Sequence, residues 1–554
     1  MRNRERCVYR LYTGNGIRRH VARSGSMDQR HGEQAMHVTD LFFLGARNHP
    51  HRLALSGDDG DFTYLQTQAL SNRIARRLGA AGLGIGHRFA VMSPNTGPAL
   101  IAMLGAMRAG LAWCNLNMRA TMADIIHILK TGNCHVVFMH SSAEPMMAEI
   151  KAAVPTLREI VCLDAVSAHG QSLAVWLGNV ADGPLALRLP DAALGFQGAT
   201  GGTTGRSKLT QANNRFVATC IAAWSSYFKF DAPPVNLAVA PITHASGFIA
   251  LAMGQFGGTT VMMAQPELGR MLDLIAERHV SLMFLPPTLV YMMLAHPKLA
   301  STDTTSLRYL VVAAAPFAPE KAVEAVGKLG PVVCQTYGQT ESGFPLTYIS
   351  TREVADAVAE PAKRHRLLSC GQQTNIVEAL EIMDEDGRIL GPDQQGELVM
   401  RGPTEMDGYL DDAPATTEIK KFGWLHTGDI GRRDADGYFY ITDRKRDMII
   451  SGGFNIFPFE VESALMEHAS VQDCAVIGVP DEKWGEAVKA CVQLKPGSNV
   501  GADELIAFAK EKIGSMKAPK SVDFIANLPR SPVGKVLKRD LRAPYWQGRT
   551  RAVS

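Results

Sequence analysis

The nine cysteines form no CxxC pair and no zinc-type spacing, and their number is odd. That argues against a disulfide framework and suits a reducing, cytoplasmic setting. No apolar run reaches the about 20 residues of a membrane span. Residues 98–114 include Arg108 and several glycines, and residues 248–264 include Gln255, Gly257 and Gly258. No integral membrane span is therefore expected. Neither sign of charge is in excess, with 57 Lys and Arg against 54 Asp and Glu for a net +3. Without a clustered basic face, no nucleic-acid partner is expected. Arginine is concentrated only near the start, from Arg2 to Arg23, and no apolar stretch follows to make a secretion signal. Residues 1–36 are expected to be a disordered extension, or to precede a true start at Met27 or Met36. Internal repeats and low-complexity segments are also lacking.

What is present is a chain of 554 residues, 46% hydrophobic, too long for a single core. Strands and helices take turns: strand 88–92, helix 98–108, strand 112–116, helix 122–130 and strand 135–139. The theme resumes with strands 281–285, 309–312 and 331–334. This alternation predicts βαβ units and a parallel sheet, with ligands beyond the carboxyl ends of its strands. Near residue 375 the texture changes to hairpins, with turn pairs Asp386-Gly387, Gly391-Pro392 and Asp436-Gly437. The charge cluster Asp443-Arg-Lys-Arg-Asp447 marks a boundary. Roughly one hundred residues follow it, enough for a domain. The expected fold is α/β: a large N-terminal domain of parallel-sheet α/β layers with a β-rich subdomain, then a small α+β C-terminal domain.

The run Gly198-Ala-Thr-Gly-Gly-Thr-Thr-Gly-Arg-Ser-Lys208 follows the strand-like 194–197. Closely spaced glycines turn backbone N–H groups towards one anion, threonines add hydroxyl donors, and the lysine supplies a point charge. This is a polyphosphate cradle, and neither a Walker nor a dinucleotide pattern. Alone, it reads equally as a surface loop. Further on come Tyr337-Gly-Gln-Thr-Glu341, Gly396-Glu-Leu-Val-Met-Arg-Gly402, Trp424-Leu-His-Thr-Gly-Asp429 and Asp443-Arg444. Gly452-Gly-Phe-Asn-Ile-Phe-Pro458 and Leu528-Pro-Arg-Ser-Pro-Val-Gly-Lys535 complete the set. With these motifs in this order, residues 37–542 resemble the adenylate-forming superfamily: acyl- and aryl-CoA synthetases, peptide-synthetase adenylation domains and firefly-type luciferases. The likeness is greatest to bacterial fatty- and aryl-acid CoA synthetases.

The resemblance implies an acid–thiol ligase that uses ATP, Mg²⁺ and coenzyme A. A carboxylic acid and ATP give acyl-AMP and pyrophosphate, and the acyl group then passes to coenzyme A, releasing AMP. It implies a large adenylation domain over 37–443, a hinge at 444–447 with Arg446, a small mobile domain over 448–546 and a tail over 547–554. Thr200, Gly201, Gly202, Thr203, Thr204, Gly205 and Lys208 correspond to the triphosphate loop. Glu341 corresponds to the Mg²⁺ carboxylate, with the catalytic Thr340 beside it. Tyr337 corresponds to the aromatic stacked on adenine, and Ala314 and Ala315 to the small-residue wall next to it. Asp429 corresponds to the carboxylate that accepts the ribose hydroxyls, and Arg444 to the arginine that reaches ribose and phosphate. Lys535 corresponds to the mobile catalytic lysine that bridges the acid and the α-phosphate, offsetting the repulsion between two anions. For the thiol step, Gly452 and Gly453 correspond to the loop that passes the pantetheine arm, and Trp484 to a contact with the CoA nucleotide. His244 corresponds to a gate between acid pocket and thiol tunnel, the alternative being a packed core histidine. Gly247, Phe248, Gly338, Gly343 and Phe344 complete the implied acid pocket.

The phosphate loop departs from the family pattern, with Gly201 in place of serine, Ser207 of proline and Leu209 of glycine. A lost hydroxyl to a charged phosphate is expected to cost about 1.5–3 kcal/mol, and Ser207 leaves φ unfixed. No lysine or arginine stands in 244–248, near 313 or in 343–345 to meet a second carboxylate, which favours a hydrophobic monocarboxylic acid. Two other readings stay open. One is an acyl-AMP ligase that loads the phosphopantetheine of a carrier protein, although the insertion usual in such enzymes is lacking between Glu341 and Gly396. The other is a member with impaired adenylation that serves as a thiolation or binding partner.

Overall fold

The computed structural model describes residues 38–183, 185, 189–200, 207–444, 447–530 and 536–547. The expectations for residues 1–36, Gly201, Gly202, Thr203, Thr204, Gly205, Arg446 and Lys535 fall outside these residues.

Two large sheets organise the chain up to residue 444. In the smaller one, strands Ala112–Cys114, Arg88–Met92, Val136–Met139 and Glu159–Cys162 lie side by side and parallel, with Leu194–Gln197 next to Ala112–Cys114. In the larger one, Leu53–Gly57, Thr259–Met262, Val235–Ala238, Leu282–Leu285, Tyr309–Val312 and Val333–Gln339 run parallel. Side chains alternate across these strands, so both faces must be covered. Leu282 and Phe284 enter the layer between the sheets, whereas Met283 and Leu285 enter an outer layer. Phe89 and Val91 enter the same central layer, and Ala90 and Met92 the outer face of their own sheet.

The apolar stretch near residue 100 is a helix in that central layer. Helix Gly97–Arg108 begins where Thr96 Oγ accepts the Ala99 amide and Pro98 presets the first turn, and Ala99 through Met107 are all buried. No helix among the described residues is long and apolar enough to cross a membrane.

The β-rich segment does not form a sheet of its own. Strand Val333–Gln339 turns back into Gly343–Ile349, and Gly371–Gln373, Tyr438–Arg444, Leu425–Arg433, Gly396–Arg401 and Ala379–Met383 continue the larger sheet in antiparallel order. The expected hairpins near 376–399 are one hairpin, Ala379–Met383 with Gly396–Arg401, closed by a long connection.

Beyond residue 447 a third sheet joins Phe454–Ile456, Ile449–Ser451, Gly485–Leu494 and Val471–Asp481, with Ser521–Phe524 along the far side of Gly485–Leu494. Helices Pro458–Met466 and Ala502–Lys517 cover it. Its core of Ile449, Val461, Leu465, Val476, Val488 and Leu505 shares no residue with the cores of the first 444 residues.

Candidate active site

The predicted nucleotide residues gather where the larger sheet changes from parallel to antiparallel. Tyr337 and Gly338 lie within strand Val333–Gln339, which is longer than the sequence suggested, and Thr340, Glu341 and Ser342 form the tip of its hairpin with Gly343–Ile349. Tyr337 donates its hydroxyl to Asp429 Oδ2 at 2.5 Å. Burial, and next the Asp429 charge, push the phenol well above its ordinary pKa, so it remains a neutral donor. Gln339 Nε2 bonds the same hydroxyl at 3.2 Å and the Thr427 carbonyl at 3.1 Å, tying the two strands together. Asp429 is 3% exposed, and its amide donates to Thr427 Oγ1 at 3.1 Å. Arg444 is paired in register with Asp429 on the neighbouring strand. Val312 pairs with Gln335, so the loop bearing Ala314 and Ala315, both exposed, emerges beside Thr336 and Tyr337. Ala314 takes a φ of +74°, a conformation that alanine rarely adopts.

The ends of the phosphate loop are fixed. Thr200 pairs with Lys208 and Ala199 with Leu209 in an antiparallel ladder. A Cβ on Gly198 would lie 2.0 Å from Thr340 Cγ2, so only glycine lets the Glu341 hairpin approach the base of the loop. The unusual Leu209 is 2% exposed and packs into the outer core of the smaller sheet. Ser207, lacking the ring of proline, has its carbonyl held by His127 Nε2 at 2.9 Å, a contact that no motif announces. Tyr409 and Asp412 were also missed. Tyr409 donates to Glu341 Oε1 at 3.1 Å, and Lys208 Nζ lies 5.1 Å from the Tyr409 ring centre and 2.9 Å from Asp412 Oδ2. Among the described residues, no group of three or more His, Cys, Asp and Glu side chains converges. The carboxylate oxygens of Glu341, linked through Tyr409 to Lys208, fit the way Mg²⁺ is taken up with a nucleotide, on one or two carboxylates plus phosphate oxygens.

The residues expected to line an acid pocket also come together. Ring centroids of Phe248 lie 5.3 Å from Trp113, 5.8 Å from Phe196 and 5.5 Å from Phe344, which in turn lies 5.5 Å from Trp224. Helix Ala245–Ala252 carries Gly247, where a Cβ would meet the Ile242 carbonyl at 2.0 Å. Gly338 and Gly343 are neighbours, since a Cβ on Gly338 would touch the Gly343 carbonyl at 2.5 Å. His244 caps the same helix, its Nδ1 3.2 Å from Thr243 Oγ1, and burial pushes its pKa down to about 4. It is a neutral ring at neutral pH. Its loop is set by Asn95, which bonds the Ala238 and Ala240 carbonyls and accepts the Ile242 amide, linking the two large sheets.

In the third sheet, Gly452 and Gly453 have φ of +60° and +82° at the two-residue turn between Ile449–Ser451 and Phe454–Ile456. Trp484, 40% exposed, lies against Gly452, whose amide donates to the Trp484 carbonyl at 2.8 Å. A family model for AMP-binding enzymes matches residues 42–410, and one for the AMP-binding enzyme C-terminal domain matches residues 460–535.

The chain belongs to the AMP-binding enzyme family.

This AMP-binding enzyme is similar to the medium/long-chain-fatty-acid–CoA ligase FadD8 of Mycobacterium tuberculosis, at 32% identity over 89% of this chain and 87% of that one. It is similar to the feruloyl-CoA synthase of an Amycolatopsis species, at 32% identity over 90% of this chain and 97% of that one. Among solved structures, the amide bond synthetase McbA from Marinactinospora thermotolerans matches the AMP-binding enzyme with a TM-score of 0.83 and 26% identity, over 92% and 99% of the two chains.

Proposed function

We propose that the chain is an AMP-forming acyl-CoA synthetase acting on a hydrophobic monocarboxylic acid. The observation that carries this reading is the Tyr337–Asp429 pair, whose tyrosine shares one hairpin with Glu341, the tip of that hairpin lying against the base of the phosphate loop. In the first step a carboxylate oxygen of the acid attacks the α-phosphorus of ATP. An acyl–phosphate bond forms, the bond to the β-phosphate breaks, and pyrophosphate leaves. Tyr337 offers its face to adenine, Asp429 and Arg444 hold the ribose, and Thr200 to Gly205 with Lys208 hold the phosphates. Glu341, with Thr340 beside it, would hold Mg²⁺, which would supply charge neutralisation on the polyphosphate. Lys535 bridges the two reacting anions. In the second step the thiol of coenzyme A attacks the acyl carbon, a C–S bond forms, AMP leaves and the thiol proton is released. Gly452, Gly453 and Trp484 receive coenzyme A, and His244 lies between thiol path and acid.

The aromatic cluster around Phe248 and Phe344 supports an apolar acid, as do the fatty-acid and feruloyl relatives. The separate cores before and after 444–447 support a hinge at Arg446. The described cysteines are all unpaired, which supports a cytoplasmic setting. Exchange of labelled pyrophosphate into ATP tests the first step. Exchange that depends on one class of apolar acid supports the reading. If no acid in a broad panel drives exchange, but a preformed acyl-adenylate yields acyl-CoA, the chain is a thiolation partner instead.

A further inference from the structure

Segment 406–412 follows the implied family motif at 396–402 and touches both halves of the phosphate site. The Met406 amide donates to the Glu341 carbonyl at 2.9 Å, the Asp407 amide to Gln211 at 2.7 Å and the Leu410 amide to Leu209 at 2.8 Å. Tyr409 pairs with Thr210 on the strand that begins at Lys208. From that place its hydroxyl reaches Glu341 Oε1 while its ring lies beside Lys208 Nζ. Asp412 is fixed too: its Oδ1 accepts the Ala415 amide at 3.0 Å as a helix cap, and its Oδ2 faces Lys208 Nζ.

We propose that Tyr409 and Asp412 are a positioning pair that orders Glu341 and Lys208 as one unit before the nucleotide arrives. The proposal rests on the reading of Glu341 and Lys208 given above. A lysine or glutamate side chain gives up rotamer freedom when ordered. A ring face beside the ammonium, a carboxylate on its far side and a hydroxyl on Glu341 pay this before binding. Tyr409 acts on the metal carboxylate and Asp412 on the phosphate lysine, so their removal has different consequences.

The test is calorimetric titration of ATP into Tyr409→Phe and Asp412→Asn proteins, with Mg²⁺ and with EDTA. Phenylalanine keeps the ring, and asparagine keeps the helix cap. Tyr409→Phe is expected to weaken ATP binding about tenfold with Mg²⁺ and to leave binding in EDTA unchanged. It is expected to add nothing in a Glu341→Gln background. Asp412→Asn is expected to weaken binding about threefold in both buffers and to add nothing in a Lys208→Ala background. Wild-type affinity in both single variants, or losses that add fully to those of Glu341→Gln and Lys208→Ala, would overturn the proposal. If Tyr409→Phe fails to fold, the Asp412 and Lys208 pair of variants decides alone. Should Glu341→Gln and Lys208→Ala themselves bind ATP and Mg²⁺ like the wild type, the reading of the site fails, which is a separate result.

Discussion

Tyr337 is held by its hydroxyl as well as by its ring, and that bond is to the carboxylate proposed for ribose. Tyr337→Phe keeps the stacking face but leaves buried Asp429 short of a donor. A hydrogen bond to a charged group is worth about 1.5–3 kcal/mol. The KM for ATP is therefore expected to rise at least about tenfold, with the KM for the acid unchanged, in a pyrophosphate-exchange assay. His244 gives a second expectation. Its pKa is about 4 in the fold against an ordinary 6.5. Between these values the unfolded chain takes up a proton that the folded chain refuses. The contribution to stability is full above the ordinary pKa and is lost as pH falls towards 4, on the order of 3 kcal/mol in all. His244→Gln should flatten part of the acid side of a plot of unfolding free energy against pH. An unchanged slope would contradict the burial argument. The residue identities of the site were legible in the sequence because each sits in a run whose neighbours narrow its role. Tyr409, Asp412, His127 and Asn95 were not. Their partners lie in other segments, with Tyr409 and Glu341 being 68 residues apart, and no local spacing announces them.

Strands Arg88–Met92, Leu194–Gln197 and Tyr309–Val312 follow the sequence reading residue for residue, since each is a short apolar run between breakers. The hairpin at Thr340–Ser342 was hidden because its tip carries chemistry in place of turn residues. The continuation of the parallel sheet by antiparallel strands depends on pairing across distant segments, which periodicity cannot reveal. The phosphate strand shows how one element absorbs an odd residue. Leu209 departs from the glycine of the family pattern, and strand pairing turns its side chain into the core. Leu209→Gly is expected to cost at least about 3 kcal/mol through the cavity it leaves, seen as a lower thermal midpoint. A midpoint equal to the wild type would mean that the strand does not depend on this side chain. His127→Ala removes the tether on the Ser207 carbonyl. A KM for ATP raised severalfold, with the thermal midpoint little changed, is expected from a loop that has lost this contact on Ser207.

At the scale of the whole molecule, the two half-reactions make opposite demands. The first needs a lysine between two anions, and the second needs that space for a thiol. On the proposed reading, separate cores on either side of 444–447 let the chain satisfy both in turn. Lys535→Ala should abolish adenylate formation while leaving conversion of a preformed acyl-adenylate to acyl-CoA within about threefold of wild type, a difference smaller than one hydrogen bond to a charge. Loss of both steps would place Lys535 in general stability and not in the first step. Passage of an acid through an adenylate to a thioester on one chain is checked by mass spectrometry of the protein incubated with ATP, Mg²⁺, coenzyme A and a panel of apolar acids. Acyl-CoA and AMP are expected in equal amounts from one class of acid, with acyl-AMP appearing when coenzyme A is left out. Acyl-AMP that accumulates with coenzyme A present, and is discharged only by a carrier protein, would contradict that route.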